Sequence, residues 1–109
     1  EADLAAIQLD QRVLVDVSRI ETRVKLLGQA LALPVVLAPV GLGGLHARRG
    51  EVQAWRAARE AGVAMALSTV SVCSLHEVTQ GGGAAPWFQL YLVKDKAANE
   101  AMIAAAGDQ

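Results

Sequence analysis

Three short stretches of this chain end in groups suited to holding a polar cofactor. They are Pro39-Val40-Gly41, then Ser68-Thr69, then Gln89 with Tyr91, and each closes an apolar run. Gly41 lets a backbone N–H approach a ligand with no Cβ in the way. Ser68 offers a hydroxyl, Gln89 an amide that both donates and accepts, and Tyr91 a phenol. Gln89 and Tyr91 are two residues apart, so on a strand they share one face. Taken singly, a polar residue at a strand end is more often a cap than a ligand contact. Three in succession strengthen the ligand reading without establishing it.

Other candidates carry less. Gly41-Leu42-Gly43-Gly44 is not the dinucleotide pattern, and Gly81-Gly82-Gly83 lacks the Lys-Ser/Thr of a phosphate loop. His46 and His76 have no partner at metal-ligand spacing and read as surface or cap residues. Cys73 has no activating motif beside it and reads as a small buried side chain. Arg48-Arg49-Gly50-Glu51 reads as a solvated helix start with an acidic first turn rather than an anion site.

The elements that must position these groups follow from periodicity. Val13 to Val17 and Arg23 to Leu27 are extended segments, expected to pair as a ribbon within residues 13–33. Val35-Val36-Leu37-Ala38 is an unbroken apolar run, as a strand covered on both faces requires. Glu51 to Ala61 reads as a helix with Val52, Trp55, Ala58 and Ala61 on its apolar side and Gly62 as its terminating glycine. Ala64 to Leu67 is a second strand. Ser74-Leu75-His76-Glu77 has capping-box spacing, and Gly81-Gly82-Gly83 ends that short helix. Trp87 to Val93 is a third strand. Asp95 caps a last helix running to about Ala106, with Ala98, Ala101, Met102 and Ala105 as its stripe and Gly107 as its cap. Three strand–helix cycles with crossovers of this length require parallel neighbours. The class is α/β, either an open doubly wound sheet or part of a (β/α)8 barrel, and both place ligands at the carboxyl ends of the strands.

Composition agrees with a core-rich globular chain: 53% of the 109 residues are hydrophobic and 19% charged. Disorder is excluded by this much apolar content. A net charge of -1 with no basic stripe argues against a nucleic-acid partner. One cysteine forms no internal disulfide and fits a reducing compartment. The longest apolar stretch, Leu31 to Leu45, is interrupted by two prolines and three glycines, which suits a strand and loop rather than a membrane span. The start at Glu1 without Met, and the end at Gln109 just after a helix, read as a chain cut at both ends.

Four ordered blocks resemble the FMN-dependent 2-hydroxy acid dehydrogenases and oxidases, the family of L-lactate dehydrogenase, glycolate oxidase and mandelate dehydrogenase. The blocks are Leu33 to Gly44, Ala47 to Glu51, Leu67 to Cys73 and Trp87 to Tyr91, and the likeness runs from about Val13 onward. It implies a partial (β/α)8 TIM barrel: three βα units over residues 34–109, after a ribbon over 13–33 near the closed bottom. It implies FMN held by the Pro39-Val40-Gly41 backbone, Ser68 and Gln89, with Tyr91 meeting a small 2-hydroxy acid substrate, above all L-lactate. Oxygen or a quinone would take the electrons. The parent would be a homo-oligomer in the cytoplasm or at the inner face of the cell membrane.

The family's base His, substrate Arg, flavin-side Lys and phosphate loop belong to the second half of the barrel, and nothing here matches them. This chain therefore carries no catalytic residue and is expected to be inactive alone. A substrate-contacting Tyr ahead of the first strand is also unmatched, and His46 stands where relatives often carry an aromatic. Two alternatives stay open: a non-catalytic or differently specialised FMN-binding relative, and a self-contained small α/β binding domain. Three βα units with open sheet edges are not expected to fold cooperatively by themselves.

Overall fold

The computed structural model describes residues 2–108, so Glu1 and Gln109 lie outside it. A four-residue helix α1 (Ala2–Ala5) is followed by residues without regular structure as far as β1 (Val24–Leu26). β1 pairs antiparallel with β2 (Gln29–Leu31), Val24 opposite Leu31 and Leu26 opposite Gln29. A two-residue turn joins them, with φ of 46° at Leu27 and 83° at Gly28. Positive φ at both centres is the mirror-image turn whose twist matches a hairpin.

The ribbon is therefore built differently from the sequence expectation. Val13 to Val17 form no strand and are exposed, and the partner of the Arg23 to Leu27 segment is β2. Ala32 N donates to Gly62 O at 2.8 Å, and Gln29 Nε2 donates to Ala85 O at 3.3 Å. Gly62 and Ala85 precede the second and third parallel strands, so the ribbon lies across their amino ends.

β3 (Val36–Leu37), β4 (Ala64–Ser68) and β5 (Trp87–Gln89) form a parallel sheet in sequential order. Register pairs Leu37 with Met65, Leu67 with Phe88 and Ser68 with Gln89. Side chains alternate along a strand. One face of β4 thus turns Met65 and Leu67 toward helix α2 (Gly50–Glu60), and the other carries Ala64, Ala66 and Ser68. The core is Val52, Trp55, Ala58, Met65, Leu67, Cys73 and Val78, with Phe88 packed against it.

Helix ends behave as their residues dictate. Past the cap residue Ala61, Gly62 N donates to Arg59 O and Val63 N to Ala58 O, with Gly62 at φ 66°. These two bonds satisfy carbonyls that the helix end would leave open, and they need a residue in the left-handed region. The short helix α3 (Leu75–Thr79) has both reciprocal bonds of the capping box between Ser74 and Glu77. Helix α4 (Lys96–Gly107) is capped by Asp95, whose Oδ1 accepts from Ala97 N and Ala98 N. Gly107 belongs to the helix and Asp108 is its cap. None of α4 is buried: only Ala98 and Met102 of the expected stripe are half-covered, because no other described element is packed over it.

Candidate functional site

The carboxyl ends of β3, β4 and β5 bring the expected ligand-facing groups to one end of the sheet. Ser68 and Gln89 are ladder partners, so they stand side by side on the same face. Ser68 is 2% exposed, and its Oγ accepts from Val70 N at 3.2 Å, which leaves the hydroxyl proton to donate elsewhere. The Gln89 side chain is half-buried, and its amide makes no hydrogen bond among the described residues. Pro39 is half-buried, whereas Val40 and Gly41 are exposed, and neither Val40 N–H nor Gly41 N–H meets a backbone acceptor among the described residues. A Cβ on Gly41 would stand 2.9 Å from Val70 Cγ2, so any larger residue here would push aside the Val70 side chain in the loop after β4.

Tyr91 departs from the expectation. β5 stops at Gln89, and residues 90–93 have left the sheet, so Tyr91 shares no strand face with Gln89. Its phenol is half exposed, and its backbone N–H is held by Thr69 Oγ1 at 3.0 Å. Thr69 N–H gives the last ladder bond to Gln89 O at 3.1 Å, and the Thr69 hydroxyl donates to the same oxygen at 2.6 Å.

Glu51 is buried, against the sequence expectation of a solvated helix start. It is 4% exposed, and its Oε1 accepts from Gly44 N and Val72 N, both at 2.9 Å. Those two N–H groups belong to the loop after β3 and the loop after β4. One carboxylate thus ties the loop that carries Val40 and Gly41 to the loop that follows Ser68. Burial pushes this carboxyl up, but the N–H groups of Val72, Glu51 itself and Gly44, with the Cys73 thiol, outweigh it and hold Glu51 at about 2. Cys73 is buried as expected, and burial followed by the Glu51 charge pushes its thiol up. The loop glycines serve this closeness rather than flexibility: a Cβ on Gly44 would sit 2.7 Å from Val72 Cβ, and one on Gly43 3.2 Å from Glu51 Oε1. The sequence signal was the Gly43-Gly44 pair placed ahead of an acid in a first helical turn. His46 and His76 are exposed.

A cavity of about 440 Å³ opens between the ends of β3 and β4 and the start of α2, with Ala38, Val40, Glu51 and Ser68 in its wall. Gln89 and Tyr91 lie outside it. The residues therefore form a continuous rim along three strand ends rather than one enclosed pocket.

The whole of residues 1–109 matches the family model described as FMN-dependent dehydrogenase. The chain belongs to that family. An L-lactate dehydrogenase of Caulobacter sp. (strain K31) is 56% identical over 107 residues, covering 98% of this chain and 28% of the relative. One from Pectobacterium atrosepticum is 55% identical over 95 residues, or 87% of this chain and 25% of the relative. Among solved structures, a mandelate oxidase with (S)-4-hydroxymandelic acid superposes with a TM-score of 0.88 at 36% identity, over 98% of this chain and 30% of that one. A monotopic membrane protein, (S)-mandelate dehydrogenase, gives 0.84 at 31% identity, over 93% of this chain and 27% of that one. This chain thus spans between a quarter and a third of the length of these relatives. FMN is the cofactor of the family, and another mandelate oxidase among the structural neighbours carries an FMN adduct. The rim fits such a group: it offers unengaged N–H groups at Val40 and Gly41, a free amide at Gln89 and a donating hydroxyl at Ser68.

Proposed function

We propose that this chain is the first part of a (β/α)8 barrel that oxidises an L-2-hydroxy acid, L-lactate above all, to the 2-oxo acid with FMN as acceptor. The observation that carries the reading is the pairing of Ser68 with Gln89 on one sheet face at the strand ends, with the Gln89 amide unpartnered among the described residues. The barrel is supported by three parallel strands in sequential order without reversal. Val35, Leu37, Leu92 and Val93 stay exposed on the strands and their extensions, as surfaces awaiting further barrel elements would.

FMN, when bound, supplies a two-electron acceptor at its ring. The chain's own residues hold and orient it. Val40 N–H and Gly41 N–H, presented by the backbone that Pro39 shapes, would hold the flavin together with the Ser68 hydroxyl and the Gln89 amide. Tyr91 presents its phenol to the substrate's hydroxyl or carboxylate end. No group here takes the substrate's proton, so the chain supplies the holding side of the site. Identities of 52–56% to L-lactate dehydrogenases, against 31–38% to the mandelate enzymes, favour lactate over an aromatic hydroxy acid.

The electron acceptor is oxygen or a quinone, and the complete protein is a homo-oligomer in the cytoplasm or peripheral at the inner membrane face. Among the described residues no helix is long and apolar enough to cross a membrane. The test is to purify the complete gene product. It should be yellow, and L-lactate should bleach its flavin absorbance under anaerobic conditions; a colourless protein that takes up no FMN refutes the reading.

A further inference from the structure

We infer that Thr69 is a positioning residue that sets Gln89 and Tyr91 for their ligands, an inference resting on the function proposed above. β4 and β5 pair only as far as Ser68 and Gln89, and beyond that point the Thr69 side chain takes over from the ladder. Thr69 makes three bonds here: its N–H gives the last bond of the ladder, and its hydroxyl makes the other two. Its N–H and its hydroxyl both donate to Gln89 O, at 3.1 and 2.6 Å, and its Oγ1 accepts from Tyr91 N at 3.0 Å. The hydroxyl is donor and acceptor at once, so its proton direction is fixed by its two neighbours. The β-branched Cβ limits χ1, which holds the hydroxyl where both contacts are made.

The contacts matter because neither ligand-facing side chain is held by its own bonds. The Gln89 amide and the Tyr91 phenol have no hydrogen-bond partner among the described residues. Their aim is set by backbone, and the backbone on both sides of Leu90 is pinned to one hydroxyl. Glu51 joins the loops after β3 and β4, whereas Thr69 joins the end of β4 to the end of β5. Ligand contacts spread over three strands thereby become one rigid set, which is what a site needs to avoid reorganising on binding.

The test uses the complete gene product with Thr69→Val, which keeps the shape and removes the hydroxyl, and Thr69→Ser, which restores it. Amide hydrogen exchange at Tyr91 is read without FMN, and KM and kcat for L-lactate are read with FMN saturating. In Thr69→Val, exchange at Tyr91 should quicken and KM should rise about ten-fold, the equivalent of one hydrogen bond, with kcat changed less than KM. Thr69→Ser should return both toward wild type. Wild-type exchange in Thr69→Val, or a Thr69→Ser protein that behaves like Thr69→Val, overturns the pinning. Faster exchange with unchanged KM overturns its role in the site. A wild-type protein that neither binds FMN nor responds to L-lactate refutes the functional reading instead, and exchange at Tyr91 still decides the pinning.

Discussion

Replacing Glu51 by Gln removes a buried charge while keeping one oxygen for Gly44 N and Val72 N. The folded carboxyl is held at about 2, against an ordinary 4.5. That difference corresponds to about 3 kcal/mol of stability at neutral pH. The sign follows from proton uptake. The unfolded chain takes up a proton near 4.5 and the folded one only near 2, so the contribution is complete above about pH 5.5 and is lost as pH falls. The gap between wild type and Glu51→Gln should be about 3 kcal/mol at pH 7 and fall to about 1.4 kcal/mol at pH 3. Urea unfolding of both proteins at matched pH values, with FMN concentration held fixed, measures that gap. Glu77 is also lowered, by the N–H of Ser74, but it is present in both proteins and drops out of the difference. A gap that stays constant from pH 7 to pH 3, or the absence of a gap at pH 7, refutes the assignment of Glu51 as a buried anion joining two loops.

Two further outcomes are expected. Trp55 is 4% exposed and its Nε1 has no partner among the described residues, so Trp55→Phe forfeits no hydrogen bond and should cost far less than Trp55→Ala, for which about 3–5 kcal/mol is expected in thermal or urea unfolding. Because the Gln89 amide makes no hydrogen bond among the described residues, Gln89→Leu should leave the unfolding midpoint of the FMN-free protein unchanged and weaken FMN binding about ten-fold by fluorescence titration. A lost midpoint with unaltered FMN affinity would instead give Gln89 a structural role.

The sequence was most legible where one residue type serves one local geometry. Unbroken apolar runs gave β3 and β4, Ser74 and Glu77 gave the capping box, and Gly62 gave the helix end. Ser68 and Gln89 were legible as strand ends, and the register then placed them together. It was least legible where a residue answers to a distant partner. Val13 to Val17 look like a strand, but nothing among the described residues pairs with them, and Leu14 takes a positive φ of 61°. The true partner of β1 contains Gln29 and Ala30, which have little β preference, and its turn uses Leu27-Gly28 rather than an Asn-Gly pair. Glu51 looked solvated because acids in a first helical turn usually are. Its burial depends on two loops brought together by the β3–β4 pairing. Tyr91 looks like a strand residue because its apolar neighbours continue the pattern, yet the ladder ends two residues earlier at Gln89, and Tyr91 N–H goes to the Thr69 hydroxyl instead.

The ribbon across the amino ends of the sheet has a consequence for the order of assembly. Gln29 reaches Ala85 across 56 residues of sequence, whereas β3, α2 and β4 are close neighbours along the chain. Contacts of long sequence separation are slow to form, because chain entropy is lost before they contribute. The β3–α2–β4 unit should therefore condense first and the clasp beneath it close last. Until it does, the apolar strand ends of the base are open to pairing with another chain, so conditions that speed the clasp should reduce misassembly during synthesis.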